Sequence, residues 1–272
     1  MNSTIPKFLY HYTSQQAFVA IVENHCLWAT DILFLNDSTE FTYAVGLALK
    51  ILASYPEPAQ KRIKPALEDL KDGPSWGTYD STYLVSFSEN GDLLSQWRAY
   101  CPVSGGISIA FAADELQQLS GVSRLVKCEY HASLQESRLR VILDTALKEA
   151  DDHRAQAQCA KDLIKVAPEV KHPSFAEEQE WRLLIDSVHL NDPMVQYRPG
   201  RSMFVPYVKL DIALSDGHLS IDHLILGPTP NPDLAWLSGW RYLKSLYLRG
   251  MIRTRGFIPV FVRNSQIPFR SW

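Results

Sequence analysis

The chain switches repeatedly between a two-residue and a 3.6-residue hydrophobic period, and the switches mark its elements. KFLYHY at 7–12 turns Tyr10 and Tyr12 to one side and Leu9 and His11 to the other, as a short strand does. Thr13 and Ser14 offer N-caps to a helix over QQAFVAIVENH, and Thr13-x-x-Gln16 has the capping-box spacing. LWATDILFL reads as extended. NDSTEFTYAVGLALKILASY reads as a helix entered through Asp37 with Glu40 three residues on, and Pro-Glu-Pro at 56–58 stops it. A short polar helix and the loop KDGPSWGTYD lead to a strand, STYLVSFSE, and DLLSQWRAYCP predicts one or two helical turns. Gly105-Gly106 opens the apolar strand ISIAF, and SRLVKCEYHA is a further strand.

Residues 134–166 are rich in charge and alanine with little punctuation, which predicts a helical insertion with a partly solvated surface. Strands return in EEQEWRLLIDSV, SMFVPYVKLDIAL and IDHLILGP. A helix over PDLAWLSGWRYLKSLYLRG and a last strand, FIPVFV, close the pattern. Strands and helices interleave irregularly, without strict βαβ alternation, and there is no repeat, low-complexity tract or long linker. The pattern therefore predicts an α+β fold in a single domain over 1–272.

Composition changes this picture little. The 272 residues are 46% hydrophobic and 21% charged, ordinary values for a folded chain with a sizeable core. The formal net charge of −3 makes no global demand for a nucleic acid or an anionic membrane. The longest apolar run, YAVGLALKILA, carries Lys50 and is too short to span a bilayer, and MNSTIPKFLYHYTS lacks the features of a signal peptide. Cys26, Cys101, Cys128 and Cys159 are scattered, without a disulfide framework. These observations predict a cytoplasmic protein with reduced thiols.

The stretch FAEEQEWRLLID carries the densest candidate chemistry. On a strand, Glu178, Glu180 and Arg182 share one face at spacings of about 6.5–7 Å, while Trp181, Leu183 and Ile185 anchor the other. One reading is a solvated face with a Glu–Arg pair; the other is a carboxylate held rigidly beside a reacting sugar. His11 sits at a strand end before a helix N-terminus, a favourable place for phosphate or ribose hydroxyls, although most such histidines are simply hydrogen-bonded. Ser86 and Ser88 share a face of their strand. Trp97 and Tyr100, three apart on a helical turn, are either core or a stacking platform for a flat ring. Asn36, Asp37 and Glu40 are explained by capping or by ligand contact.

Several signatures are missing. There is no GxGxxG, GxxxxGK[ST] or GxSxG, and Gly105-Gly106 precedes a strand, so it is a poor phosphate loop. Cys128-x-x-His131 with His153 and Cys159 has irregular spacing, and no metal is expected. Arg241, Lys244, Arg249, Arg253 and Arg255 read as a solvated helix face or as a phosphate-contacting patch.

HYTS, NDSTE, VSFSE followed by QWRAY, Gly-Gly before a strand, KHPSFAEEQEWRL and SQIPFR together resemble domain of unknown function 2971, a mainly bacterial family. Their layout is similar to that of the ADP-ribosyltransferase fold, a split, twisted sheet with a cleft for nicotinamide adenine dinucleotide (NAD). That resemblance matches His11 to the early-strand residue, Ser86-Phe87-Ser88 to the middle strand and Glu178-Gln179-Glu180 to the late-strand catalytic motif. It departs from the pattern in one respect: Glu-x-Glu enzymes usually begin with Arg, and those with His usually carry Tyr in the middle strand. Trp28, Trp97 and Tyr100 are the substitutes for that aromatic.

The resemblance implies transfer of ADP-ribose from NAD, as substrate, to RNA, DNA or protein, with no metal. Glu180 would stabilise the developing oxocarbenium ion and hold the ribose 2′-hydroxyl. Glu178 would orient or deprotonate the acceptor, and His11 would bind the adenosine-side ribose. Tyr12, Thr13, Trp28, Asn36, Ser86, Ser88, Trp97 and Tyr100 would complete the cofactor site, with Arg182 pairing either with the diphosphate or with a carboxylate. Enzymes of this fold often serve as toxins or in phage defence, and an inhibitory partner protein fits that setting. The rival readings are an NAD glycohydrolase or another N-glycosidic hydrolase, and a non-catalytic module binding a nucleotide or nucleic acid.

Overall fold

The computed structural model describes residues 5–35, 40–71, 80–101, 105–119, 123–200, 202–253 and 261–268. The Asn36-Asp37 cap, most of the 71–80 loop, Arg255 and the end of SQIPFR lie outside them. Strand β1 (Phe8–Thr13) leads into helix α1 (Gln15–Asn24). Ser14, rather than Thr13, is the cap: its hydroxyl accepts from the Ala17 amide at 3.1 Å. Phe18, Ile21 and Val22 form the buried stripe of α1, and His25 ends it in the left-handed conformation (φ 50°). The chain then enters β2 (Cys26–Asp31).

Helices α2 (Glu40–Leu52) and α3 (Glu57–Lys71) precede β3 (Asp80–Ser88). After it come α4 (Leu94–Tyr100), β4 (Ile107–Ala112), α5 (Ala113–Gln118) and β5 (Ser123–Lys127). Segment 134–166, read as one helical stretch, is two helices, α6 (Ala132–Ala146) and α7 (Asp152–Val166), separated by a turn at 147–151. Strands β6 (Glu180–His189), β7 (Val195–Pro199), β8 (Phe204–Asp211), β9 (Leu219–Ser220) and β10 (His223–Leu226) follow. Helix α8 (Pro232–Leu248) and strands β11 (Ile252–Arg253) and β12 (Phe261–Asn264) are last.

The described residues form a large mixed sheet of ten strands, in the order β12-β10-β4-β1-β3-β2-β8-β7, with β6 on the other side of β3 and β5 beyond it. Most pairs are antiparallel; β10–β12 is parallel. Mixed α and β structure with this pairing agrees with the α+β expectation.

Both faces of the central strands are covered. Leu9, Leu27, Val85, Phe87, Trp181 and Leu183 face one core, shared with α1 and α8. Leu84 and Leu184 face a second, made by α2, α3, α6 and α7, where Leu139, Leu143, Cys159 and Leu163 are buried. The helical segment anticipated at 134–166 thus supplies part of a core. Each of these large side chains, fully buried, contributes about 1.5–3 kcal/mol. β4 (ISIAFA) is likewise buried at every position, with Ile107, Ile109 and Phe111 on the face of the first core and Ser108, Ala110 and Ala112 on the other. Double coverage forces any charge on these strands to find a partner.

The sheet forks at β3. Strand β1 pairs with it at Tyr10–Ser88, and β2 pairs with it at Thr30–Leu84 and Asp31–Tyr83. Both register on the same edge of β3 and diverge from it between those points, while β6 runs along the opposite edge from Ser88 to Asp80. Helix α1 contributes Ala17, Ala20 and Ile21 to the lining of the space between β1 and β2.

Candidate functional site

The fork holds a cavity of about 590 Å³, within the size range of small-molecule sites. Leu84, Val85 and Ser86 of β3 lie at its floor, Tyr12 and Thr13 of β1 on one side, and Leu27, Trp28 and Thr30 of β2 on the other. Helix α4 contributes Gln96, Ala99 and Tyr100. His11, Glu178, Glu180, Lys171, Phe175 and Arg198 complete the charged and polar lining.

His11 occupies the gap where β1 peels from β3. Its Nδ1 lies 3.1 Å from the Ser86 carbonyl oxygen, a group left without a strand partner on that edge by the fork. A carbonyl only accepts, so Nδ1 carries the proton and Nε2 is an acceptor when the ring is neutral. Burial lowers the imidazole pKa, against the opposing pull of the Ser86 hydrogen bond, so the ring is neutral at pH 7.

The carboxylates are arranged differently from the even alternation expected. Glu178 ends a 3₁₀ helix (Pro173–Glu178), and Gln179 turns the chain through the left-handed region (φ 44°) before β6 begins at Glu180. Glu178 therefore does not share the strand face. Lys171 reunites the two acids: its Nζ lies 2.5 Å from Glu178 Oε2 and 2.6 Å from Glu180 Oε2. Arg182 holds Glu180 with two hydrogen bonds of 2.9 Å, from Nε to Oε1 and from Nη2 to Oε2. Its Nη1 donates to the Pro168 carbonyl at 2.8 Å. Burial pushes the Glu180 pKa up, but Arg182 and Lys171 outweigh it and hold the carboxyl well below its ordinary range.

The backbone around this group is pinned at every step. Glu180 donates its amide to the Tyr130 hydroxyl at 3.0 Å, and its carbonyl accepts from the Cys128 amide at 2.9 Å. Lys171 is held through its amide to the Glu129 carbonyl (3.1 Å) and through its own carbonyl, which accepts from Gln135 Nε2 (2.7 Å). Ser88 donates from Oγ to the Glu178 carbonyl at 2.7 Å, which ties the turn to β3.

The cavity thus brings together His11, Tyr12, Thr13, Trp28, Ser86, Tyr100, Glu178 and Glu180. It does not include three other residues assigned to the site. Ser88 is buried in the turn clamp just described. Trp97 packs edge-on against Tyr12 at 4.8 Å, with its indole N–H donating to Asp92 at 2.8 Å, so it is core. Arg182 is 1% exposed and spent on Glu180 and Pro168, which leaves nothing for a diphosphate. Asn36 is outside the described residues. Lys171, Phe175 and Arg198 are lining residues that motif reading passed over. KHPSF was visible beside the Glu-x-Glu pair, but nothing local shows that Lys171 reaches both acids. Arg198 carries no motif at all.

Trp28 is 44% exposed and stacks on Tyr207 (4.4 Å, 30°). The Arg198 guanidinium lies 5.8 Å from the centre of the Trp28 ring. No group of three or more His, Cys, Asp or Glu among the described residues could hold a metal ion, and no helix among them is long and apolar enough to cross a membrane.

Residues 96–183 match the model of a family described as a protein of unknown function, DUF2971. The matched segment runs from Gln96 through Lys171, Glu178 and Glu180 to Leu183, and it supports the family resemblance carried by the motifs. His11, Trp28, Ser86 and Arg198 lie outside it. No curated protein and no solved structure matches the chain.

Proposed function

We propose that the protein is an NAD-dependent ADP-ribosyltransferase acting on a macromolecular acceptor: RNA, DNA or protein. One observation carries this reading. His11 and Glu180, from strands on opposite edges of β3, open onto one cavity whose size suits a dinucleotide. The resemblance of the early His, the middle Ser-x-Ser and the late Glu-x-Glu to the transferase fold supports it further.

In this reading the nicotinamide–ribose bond breaks with its electron pair passing to the nicotinamide nitrogen, which leaves neutral. The acceptor's oxygen or nitrogen then bonds to the ribose C1′ and loses its proton to Glu178 or to water. Glu180 is fixed by Arg182 and accepts from the ribose 2′-hydroxyl. Lys171, shared between the two acids, yields part of its hold on Glu180 as that hydroxyl arrives. His11 contributes the acceptor Nε2 to a ribose hydroxyl, and Tyr100 or Trp28 provides the flat apolar surface for nicotinamide.

A second reading, a non-catalytic nucleotide-binding module, has its own observation. Lys171 and Arg182 already neutralise the two carboxylates, which weakens the field available to an oxocarbenium ion. Nicotinamide release from NAD, measured with RNA, DNA and protein lysate as acceptors, separates the two. Release that depends on an added acceptor and is lost in Glu180→Gln supports the transferase, whereas release to water alone supports the glycohydrolase. Binding of NAD without release supports the module. Release that persists in Glu180→Gln removes Glu180 from the chemistry.

A further inference from the structure

We infer that Arg198 is a phosphate anchor, and that the cavity is built for a phosphorylated nucleotide rather than an uncharged nucleoside or sugar. The transferase reading supplies the identity of that nucleotide; its charge is argued independently.

The argument is one of charge matching. Of the charged side chains lining the cavity, Glu178 and Glu180 are matched by Lys171 and, behind the wall, Arg182. His11 is neutral. Arg198 has no carboxylate partner among the described residues. Its Nη2 donates to the neutral Thr30 hydroxyl at 3.2 Å, and its Nε is buried with no hydrogen-bond partner. A guanidinium in a cavity with an unsatisfied N–H calls for an anion, and its planar fork suits the oxygens of a phosphate better than a point charge does.

Its position is prepared in advance. Strand β7 pairs with β8 at Arg198–Val205, which fixes the backbone. Trp28 beside it is locked by the Tyr207 ring, whose hydroxyl in turn donates to Gln196 at 3.0 Å. The guanidinium therefore sits against a rigid aromatic wall, a combination suited to a phosphate that carries a flat base. Arg182, the residue that the motif pattern offered for the diphosphate, is excluded by its own hydrogen bonds.

Equilibrium binding of adenosine, ADP, ADP-ribose and inorganic pyrophosphate to wild type, Arg198→Gln and Arg198→Lys tests the assignment. ADP and ADP-ribose are expected to bind about ten-fold tighter than adenosine, and pyrophosphate to compete with them. Arg198→Gln removes that advantage and leaves adenosine within about two-fold of wild type; Arg198→Lys, which keeps charge but not the fork, falls between. Matching thermal unfolding of wild type and variants shows that the fold is intact, and if Arg198→Gln fails that check, Arg198→Lys decides alone. Equal binding of ADP and adenosine, parallel loss of both in the variants, or no binding of any of the four overturns the assignment. Arg198-dependent binding of ADP without nicotinamide release from NAD leaves the anchor standing and removes the transferase. Release from NAD with a KM unchanged in Arg198→Gln does the reverse.

Discussion

Among the described residues, two buried carboxylates are each clasped by two cations, and one of them, Glu180, lines the cavity in the fork. Glu169, at the end of a 3₁₀ turn (Ala167–Glu169), pairs with Arg124 and Arg138. Arg124 also reaches Asp186 at 2.6 Å, which makes a brace between β5, β6 and the helices. Glu180 pairs with Arg182 and Lys171, and Lys171 is shared with a further acid, Glu178. The cations of the first clasp keep a solvated side, with side chains 29% and 42% exposed; those of the second are 5% and 1% exposed. A doubly clasped acid is therefore not in itself a sign of chemistry. What marks out Glu180 is that one edge of its clasp, Lys171, forms part of the wall of an open space that also meets His11.

The largest contrast is expected in stability. Arg182→Ala strands a buried carboxylate and should cost about 3–5 kcal/mol in urea unfolding. Arg124→Ala should cost only about 1 kcal/mol, because Arg138 and solvent remain. Equal losses would mean that burial does not separate the two clasps.

Activity should divide them next. Glu180→Gln is expected to lower nicotinamide release by about 10²-fold, whereas Glu169→Gln should stay within about two-fold. A comparable fall in Glu169→Gln would trace the loss to general damage of the fold.

The pH dependence of folding sharpens the comparison further. The folded pKa of Glu180 lies below its unfolded value of about 4.3. Its clasp therefore stabilises fully above that pH and loses its contribution as pH falls through the folded pKa. Melting temperatures of wild type should drop more steeply below about pH 4 than those of Glu180→Gln. Parallel acid limbs would contradict a depressed Glu180 pKa. The smallest expected effect is that of Ser88→Ala, which frees the Glu178 turn at about 1 kcal/mol and raises KM for NAD more than it lowers kcat.

Local signals found most of the elements. The 3.6-residue stripe of α1 and the two-residue alternation of β1 are self-contained, so they were visible without a partner. Strands β9 and β11 were not, because two residues carry no period, and β7 (VQYRP) was not singled out among the polar residues around it. The Glu-x-Glu stretch misled for a related reason. Alternation on paper placed Glu178, Glu180 and Arg182 on one face, but Gln179 adopts the left-handed conformation and turns Glu178 off the strand. Of the site residues, those in short dense motifs were legible: His11, Ser86, Glu180. Trp97 and Arg182 share the same motifs but are packed inward, and sequence carries no record of which neighbours are already satisfied. Arg198 lay in a segment with no pattern at all.

By itself, the sequence determined the mixed α and β character, the presence of the long helices though not the break between α6 and α7, and the concentration of acids before β6, because propensity, capping and periodicity act over a few residues. Tertiary structure alone decided the fork of β1 and β2 from β3, the meeting of Lys171 with both acids, and the isolation of Arg198 from any carboxylate among the described residues. Those depend on contacts between residues far apart in the chain, where charge balance and hydrogen-bond satisfaction are set by the whole assembly of strands.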